Sequence, residues 1–141
     1  MIEVRLDDLM PGCKHFRWRE FLWLPQWSVH VFPTDNQALN LIEVAETMED
    51  IRALLGGRSI TVTSGLRPYL YNKLIKGSLY SAHKLGRACD FQVKGLSANK
   101  VRKKLVQHLD ELGIRMEDLH GSNWIHIDTK FPGPSGRFFP V

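Results

Sequence analysis

The chain has 141 residues, enough for one domain, and its 43% hydrophobic content can fill one core. No run approaches the roughly 18 apolar residues of a membrane span, so no span is expected. The net charge of +4 favours approach to an anionic polymer. Its densest basic cluster, Lys100, Arg102, Lys103 and Lys104, falls on the polar side of a predicted helix and reads as a solvated face. It lacks the interleaved aromatics of a nucleic-acid module, and no nucleic-acid partner is expected.

In chain order, Met1-Ile-Glu-Val-Arg-Leu-Asp-Asp is acidic where a secretory signal has a basic start and an apolar run. Synthesis in the cytoplasm without a signal peptide is therefore expected. Residues 1–33 read as an aromatic N-terminal arm (Phe16, Trp18, Phe21, Trp23, Trp27), with a short helical turn at Arg19–Leu22. Thr34 followed by Gln37 resembles a capping box, with Asp35 as an alternative cap. Ala38, Leu41, Ile42, Ala45, Met48, Ile51 and Leu55 then recur at helical spacing up to Gly56-Gly57. Ser59–Ser64 alternates and is β-branched, which predicts a strand. A short helical stretch opens near Pro68, and Ala88–Val93 is the second predicted strand. Ser97 caps a helix carrying Val101, Leu105, Leu109 and Leu112, stopped by Gly113. Trp124–Asp128 is the third strand, and Pro132–Gly136 is loop. This order predicts a single small α+β domain, an antiparallel sheet with helices packed on one side.

Strand alternation points to a site. In the second strand Cys89, Phe91 and Val93 share one face and Asp90 takes the other; in the third, Ile125 and Ile127 oppose Trp124, His126 and Asp128. If both apolar faces enter one core, Asp90 and His126 emerge on the same open side. Gly86 permits a sharp turn that bends His83 over that side. Two imidazoles and a carboxylate would leave a tetrahedral zinc one open position. By spacing alone a surface histidine is the commoner case, and His15, His30 and His108 show no partner pattern. Cys13 and Cys89 form neither a CxxC pair nor a zinc-finger spacing. A disulfide between them is compatible with the sequence, and a buried free thiol is the simpler reading of Cys89.

The segments Thr63-Ser-Gly-Leu-Arg67, Tyr71-Asn72, Gly77, Ser81-x-His83-x-x-Gly86-x-Ala88-x-Asp90 and Trp124-Ile-His126-Ile-Asp128 resemble the zinc peptidases of the D-alanyl-D-alanine carboxypeptidase type. That family includes murein endopeptidases and phage endolysins, on a fold related to the hedgehog signalling domain. The resemblance is strongest over residues 36–129. It implies one zinc peptidase-like domain over residues 1–141, zinc on His83, Asp90 and His126, and hydrolysis of an amide bond in peptidoglycan stem peptides or cross-links. It implies that Arg67 binds a substrate carboxylate or the oxygen that becomes negative, against a salt bridge at the strand end. Ser81 would bind substrate or orient His83, against a role in ordering its loop. Asp128 is the candidate acceptor for the other ring nitrogen of His126. Tyr71 and Asn72 read as packing and turn residues, and Trp124 as a possible cleft floor.

One position departs from the pattern. Many relatives carry Glu or Asp three residues before the last histidine, as base for the attacking water; here that residue is Asn123, and an amide accepts no proton. Asp118 and His120 lie upstream in the same loop, and His120 is the preferred alternative base because its pKa suits neutral pH; a plain surface histidine is the competing reading. Asn123 also motivates a second expectation, a zinc-stabilised binding or structural module without turnover. The expected site of action is the cell wall, reached by phage or prophage delivery.

Overall fold

A computed structural model describes residues 1–141. Helix α1 (Trp18–Leu22) leads into a two-stranded antiparallel hairpin, β1 (Trp23–Leu24) and β2 (Val29–His30). The long helix α2 (Asp35–Leu54) begins at a capping box: Thr34 N–H donates to Gln37 Oε1 at 2.9 Å, and Gln37 N–H to Thr34 Oγ1 at 3.2 Å. Strand β3 (Ile60–Ser64), helix α3 (Tyr69–Leu74) and a 3₁₀ turn at Ala82–Leu85 follow. Then come β4 (Ala88–Val93), α4 (Ala98–Leu105), α5 (Leu109–Leu112), β5 (Arg115–Asp118), β6 (Ile125–Asp128) and β7 (Phe138–Pro140).

The fold is α+β. Five strands form one sheet in the order β3-β4-β6-β5-β7, antiparallel except for the parallel pair β5-β7. The sheet is thus mixed rather than purely antiparallel. Two strands absent from the sequence reading cause the difference. β5 has four residues and β7 three, too short for a periodic signal, and both form through pairing with neighbours. The helix expected from Ser97 to Leu112 is interrupted by a 3₁₀ turn at Val106–His108, so its apolar stripe belongs to α4 and α5. No helix is long and apolar enough to cross a membrane.

One face of the sheet packs on the helices. Cys89, Phe91, Val93, Met116, Ile125 and Ile127 join Leu41, Ala45, Met48 and Ile51 of α2 and Val101 and Leu105 of α4 in a cluster of 26 buried residues. Full burial of each large apolar chain contributes about 1.5–3 kcal/mol. The N-terminal aromatic segment supplies Phe16, Trp18 and Phe21 to the same cluster. Both cysteines are buried free thiols.

Arg102 corrects the reading of the basic cluster. It is 5% exposed, and it donates to Trp124 O at 2.8 Å, Ser122 O at 3.1 Å and Asn99 Oδ1 at 2.5 Å. Its side chain turns under α4 because the loop before β6 offers carbonyls that need donors. The residue braces that loop and lies off the solvated face.

The N-terminal segment is bonded to the end of β3, where Leu66 N–H donates to Phe21 O at 2.8 Å. A Cβ on Gly65 would lie 2.4 Å from Phe21 O and 2.7 Å from Phe21 Cα, so only glycine lets α1 approach. Gly65→Ala should lower stability by about 1–3 kcal/mol, the cost of overpacking, read as a lower urea midpoint. Gly133→Ala, which meets nothing within 4 Å, should leave the midpoint in place. Equal midpoints for the two variants would show that α1 does not need this contact.

Candidate metal centre

Antiparallel pairing of β4 with β6 sets Cys89 opposite Ile127, Phe91 opposite Ile125, and Asp90 opposite His126. The apolar residues face the helices, and Asp90 and His126 emerge on the open face. His83 arrives from the 3₁₀ turn. That turn is tied to α2 by Gln37 Nε2–H donating to Lys84 O at 3.1 Å and Asn40 Nδ2–H to Leu85 O at 2.9 Å. Gly86 reverses the chain with φ +72°, and a Cβ there would stand 2.7 Å from Gln37 O. The ligand atoms of His83, Asp90 and His126 lie within 4.8 Å of one another, and all three residues are buried.

The outer atom of each donor is occupied. His83 Nδ1–H donates to Gly65 O at 2.7 Å, which fixes the tautomer and leaves Nε2 facing inward. Arg67 Nη2–H donates to Asp90 Oδ2 at 3.1 Å, leaving Oδ1 inward. His126 Nε2–H donates to Asp128 Oδ2 at 3.0 Å, leaving Nδ1 inward, and Arg115 grips Asp128 through two bonds of 2.8 and 2.9 Å. Three inward atoms remain: His83 Nε2, Asp90 Oδ1 and His126 Nδ1.

The protonation of the three donors follows from their surroundings. Burial lowers the pKa of His83 and outweighs the neighbouring Asp90. Its neutral Nε2 then turns a lone pair toward Asp90 Oδ1 at 3.1 Å, and the same oxygen accepts His126 Nδ1–H at 2.8 Å. Burial opposes ionisation of Asp90, yet the two histidines hold its carboxyl well below the usual range. Burial also disfavours protonated His126, but its bonds to Asp128 and Asp90 prevail and push the pKa up to about 9. Two imidazole nitrogens and one carboxylate oxygen suit zinc and leave a fourth tetrahedral position for water or substrate.

The centre floors an open cavity of about 890 Å³. Its lining includes the sequence-predicted Arg67, Ser81, Asp128 and Trp124. Arg67 also receives a brace, donating through Nε–H to Ser64 Oγ at 2.9 Å, so it is ion-paired and cavity-facing at once. Ser81 Oγ caps the 3₁₀ turn by accepting His83 N–H at 3.2 Å. Tyr71 and Asn72 are buried; Asn72 Nδ2–H donates to Ser78 O at 2.9 Å and holds the turn at the cavity wall. Asn123 lines the cavity; His120 is exposed, and neither it nor Asp118 is part of the lining.

Sequence reasoning missed four charged cavity residues: Lys76, Arg115, Glu117 and Lys130. The alternation Arg115-Met116-Glu117 was the available signal for two of them, since Met116 is buried between two half-buried polar residues. Burial raises the pKa of Glu117; nearby His126 opposes this, while Asp90 and Asp128 add to it.

The profile of the peptidase M15 family matches residues 14–128, most of the chain. The chain belongs to this peptidase family. No curated protein matches it. The family match begins at Lys14, within the aromatic segment that joins the core, and ends on Asp128, the carboxylate behind His126.

Two outcomes follow from the donor geometry. At pH 7 His126 holds a proton that a cation on Nδ1 must displace. Zinc binding should release about one proton per chain, and its affinity should fall about tenfold for each pH unit below about 9. Calorimetry in buffers of different ionisation enthalpy measures the release; none at pH 7 would contradict the assigned protonation. Asp128→Asn should weaken zinc binding about 10–100-fold, the usual effect of losing a carboxylate behind a ligating histidine, as read by competition with a chromogenic chelator.

Proposed function

We propose that this chain is a zinc-dependent peptidase that hydrolyses an amide bond of peptidoglycan, in a stem peptide or a cross-link, and that it acts at the cell wall. The convergence of His83, Asp90 and His126 within 4.8 Å on the floor of an open cavity, in a chain of a peptidase family, carries this reading. His83, Asp90 and His126 would hold the zinc, which when bound polarises a carbonyl and lowers the pKa of water.

The protein's own residues bind and orient the substrate. Arg67 stands beside Asp90 with its planar fork partly free for a carbonyl or carboxylate oxygen. Lys76 and Lys130 extend the positive lining, which suits the carboxylates of murein peptides. Tyr80, 81% exposed, overhangs the cavity, and Lys130 Nζ donates to its carbonyl at 3.3 Å. Ser81 keeps the turn that carries His83. The ring nitrogens locked by Gly65 O and Asp128 hold both imidazoles in one orientation, so little reorganisation accompanies reaction.

A second reading, a metal-stabilised module without turnover, draws on Asn123 standing where relatives carry an acid. Purified sacculi incubated with protein separate the two. New amino groups or free D-alanine should appear with zinc, vanish with chelator and return on adding zinc back. One zinc per chain with no product would favour the module.

His83→Ala and His126→Ala should each lose the metal, since two protein ligands fall short of the three in catalytic sites; full occupancy in both variants would remove the assignment. Arg67→Lys keeps the charge and loses the fork. It should retain zinc and lower cleavage at least about tenfold, because a charge-assisted bond contributes about 1.5–3 kcal/mol and each 1.4 kcal/mol is about a factor of ten. Cleavage at the wild-type rate would make Arg67 a structural partner of Asp90.

A further inference from the structure

Hydrolysis of an amide needs a group that takes a proton from water and returns it to the departing nitrogen. Three side-chain carboxylates line the cavity: Asp90, Asp128 and Glu117. Asp90 is held by both histidines and Arg67. Asp128 is fully buried and held by Arg115 and His126. Glu117 alone is uncommitted: its carboxylate makes no hydrogen bond and no ion pair, and the residue is half-buried.

Its place in the sheet is fixed. β5 runs antiparallel to β6 with Arg115 opposite Asp128 and Met116 opposite Ile127, so the next residue, Glu117, comes level with His126. Met116 points into the core, and alternation sends Glu117 to the open face with Arg115. On its other side Glu117 is paired in register with Phe139 of β7, whose ring lies under the Arg115 guanidinium at 4.1 Å. Glu117 therefore comes level with a candidate metal ligand and lines the cavity, on a strand paired on both edges.

We propose that Glu117 is the catalytic base of this chain, taking the role that Asn123 cannot fill. The assignment rests on the peptidase reading above. The water oxygen forms a bond to the scissile carbonyl carbon as one of its protons passes to the Glu117 carboxylate. The carbon–nitrogen bond then breaks as the proton moves from Glu117 to the leaving nitrogen, giving a carboxylic acid and an amine, and the acid's proton passes to the amine so that they leave as carboxylate and ammonium. No oxidant or further reactant enters. Asn123 and Glu117 both line the cavity, one in the loop before β6 and the other on β5.

The test compares wild type, Glu117→Gln and the double variant Glu117→Gln/Asn123→Asp, using a muropeptide digest of sacculi as substrate. Glu117→Gln should retain one zinc per chain and its thermal midpoint, and should bind the muropeptides by calorimetry as wild type does. Its kcat should fall at least about 100-fold with KM little changed, the lower end of the range for removing a general base. The double variant should recover at least about tenfold of that loss. An active wild type with an equally active Glu117→Gln overturns the assignment alone, as does loss of zinc or of muropeptide binding in that variant, which would make Glu117 a ligand or a binding residue. A zinc-loaded wild type that releases no amino groups overturns the peptidase reading and this assignment with it.

Discussion

The register between β4 and β6 is the constraint on which the site depends. Asp90 faces His126 across that pair, with Cys89–Ile127 and Phe91–Ile125 on either side pointing into the core. Since side chains alternate along a strand, a slip of one residue would turn one of the two strands over, sending Asp90 or His126 into the apolar layer and its apolar neighbours into the cavity. Apolar burial therefore specifies the candidate metal centre indirectly. The irregularity between Val62 and Ser64 extends the same control to β3, because it sets Ser64 opposite Asp90 and leads the chain towards Arg67.

Around this register the molecule gathers a dense set of charges: buried Asp90 and Asp128 beside part-buried Arg67 and Arg115, with two buried histidines between them. Burying such groups is costly, and their mutual attraction repays the desolvation only when geometry is good. Their contribution is better sought in orientation than in stability. Each outer atom has a fixed partner, so each inner atom has one direction available, and a cation bound there would find its donors already aimed.

Backbone groups complete the arrangement. Arg67 N–H donates to His83 O at 3.0 Å and Gly65 O receives His83 Nδ1–H, so the end of β3 and the 3₁₀ turn hold each other. Phe21 O accepts Leu66 N–H on the other side of the same loop, which couples the aromatic N-terminal segment to the histidine turn. Arg102 does the equivalent for the approach to β6 from beneath. The site is supported from three elements that carry no ligand themselves.

Much of this was legible in the chain. The capping box of α2, the alternation in Ala88–Val93 and Ile125–Asp128, and the turn glycine at 86 are local properties, set by backbone sterics and by which side chains tolerate water. They were sufficient to put Asp90, His126 and His83 on one side of a sheet. Short β5 and β7 were not legible, because three or four residues carry no usable period and gain their ladder bonds only from strands distant in sequence. For the same reason composition misplaced Arg102: a helix wheel gives the polar side, but only the packed loop of residues 122–124 supplies the carbonyls that draw the guanidinium inward. Glu117 stayed hidden likewise, since its neighbour in sequence is the core residue Met116 and it comes level with His126 only through the pairing with the next strand. Periodicity determined which faces are wet, and the tertiary pairing of β5 with β6 decided which wet residues meet.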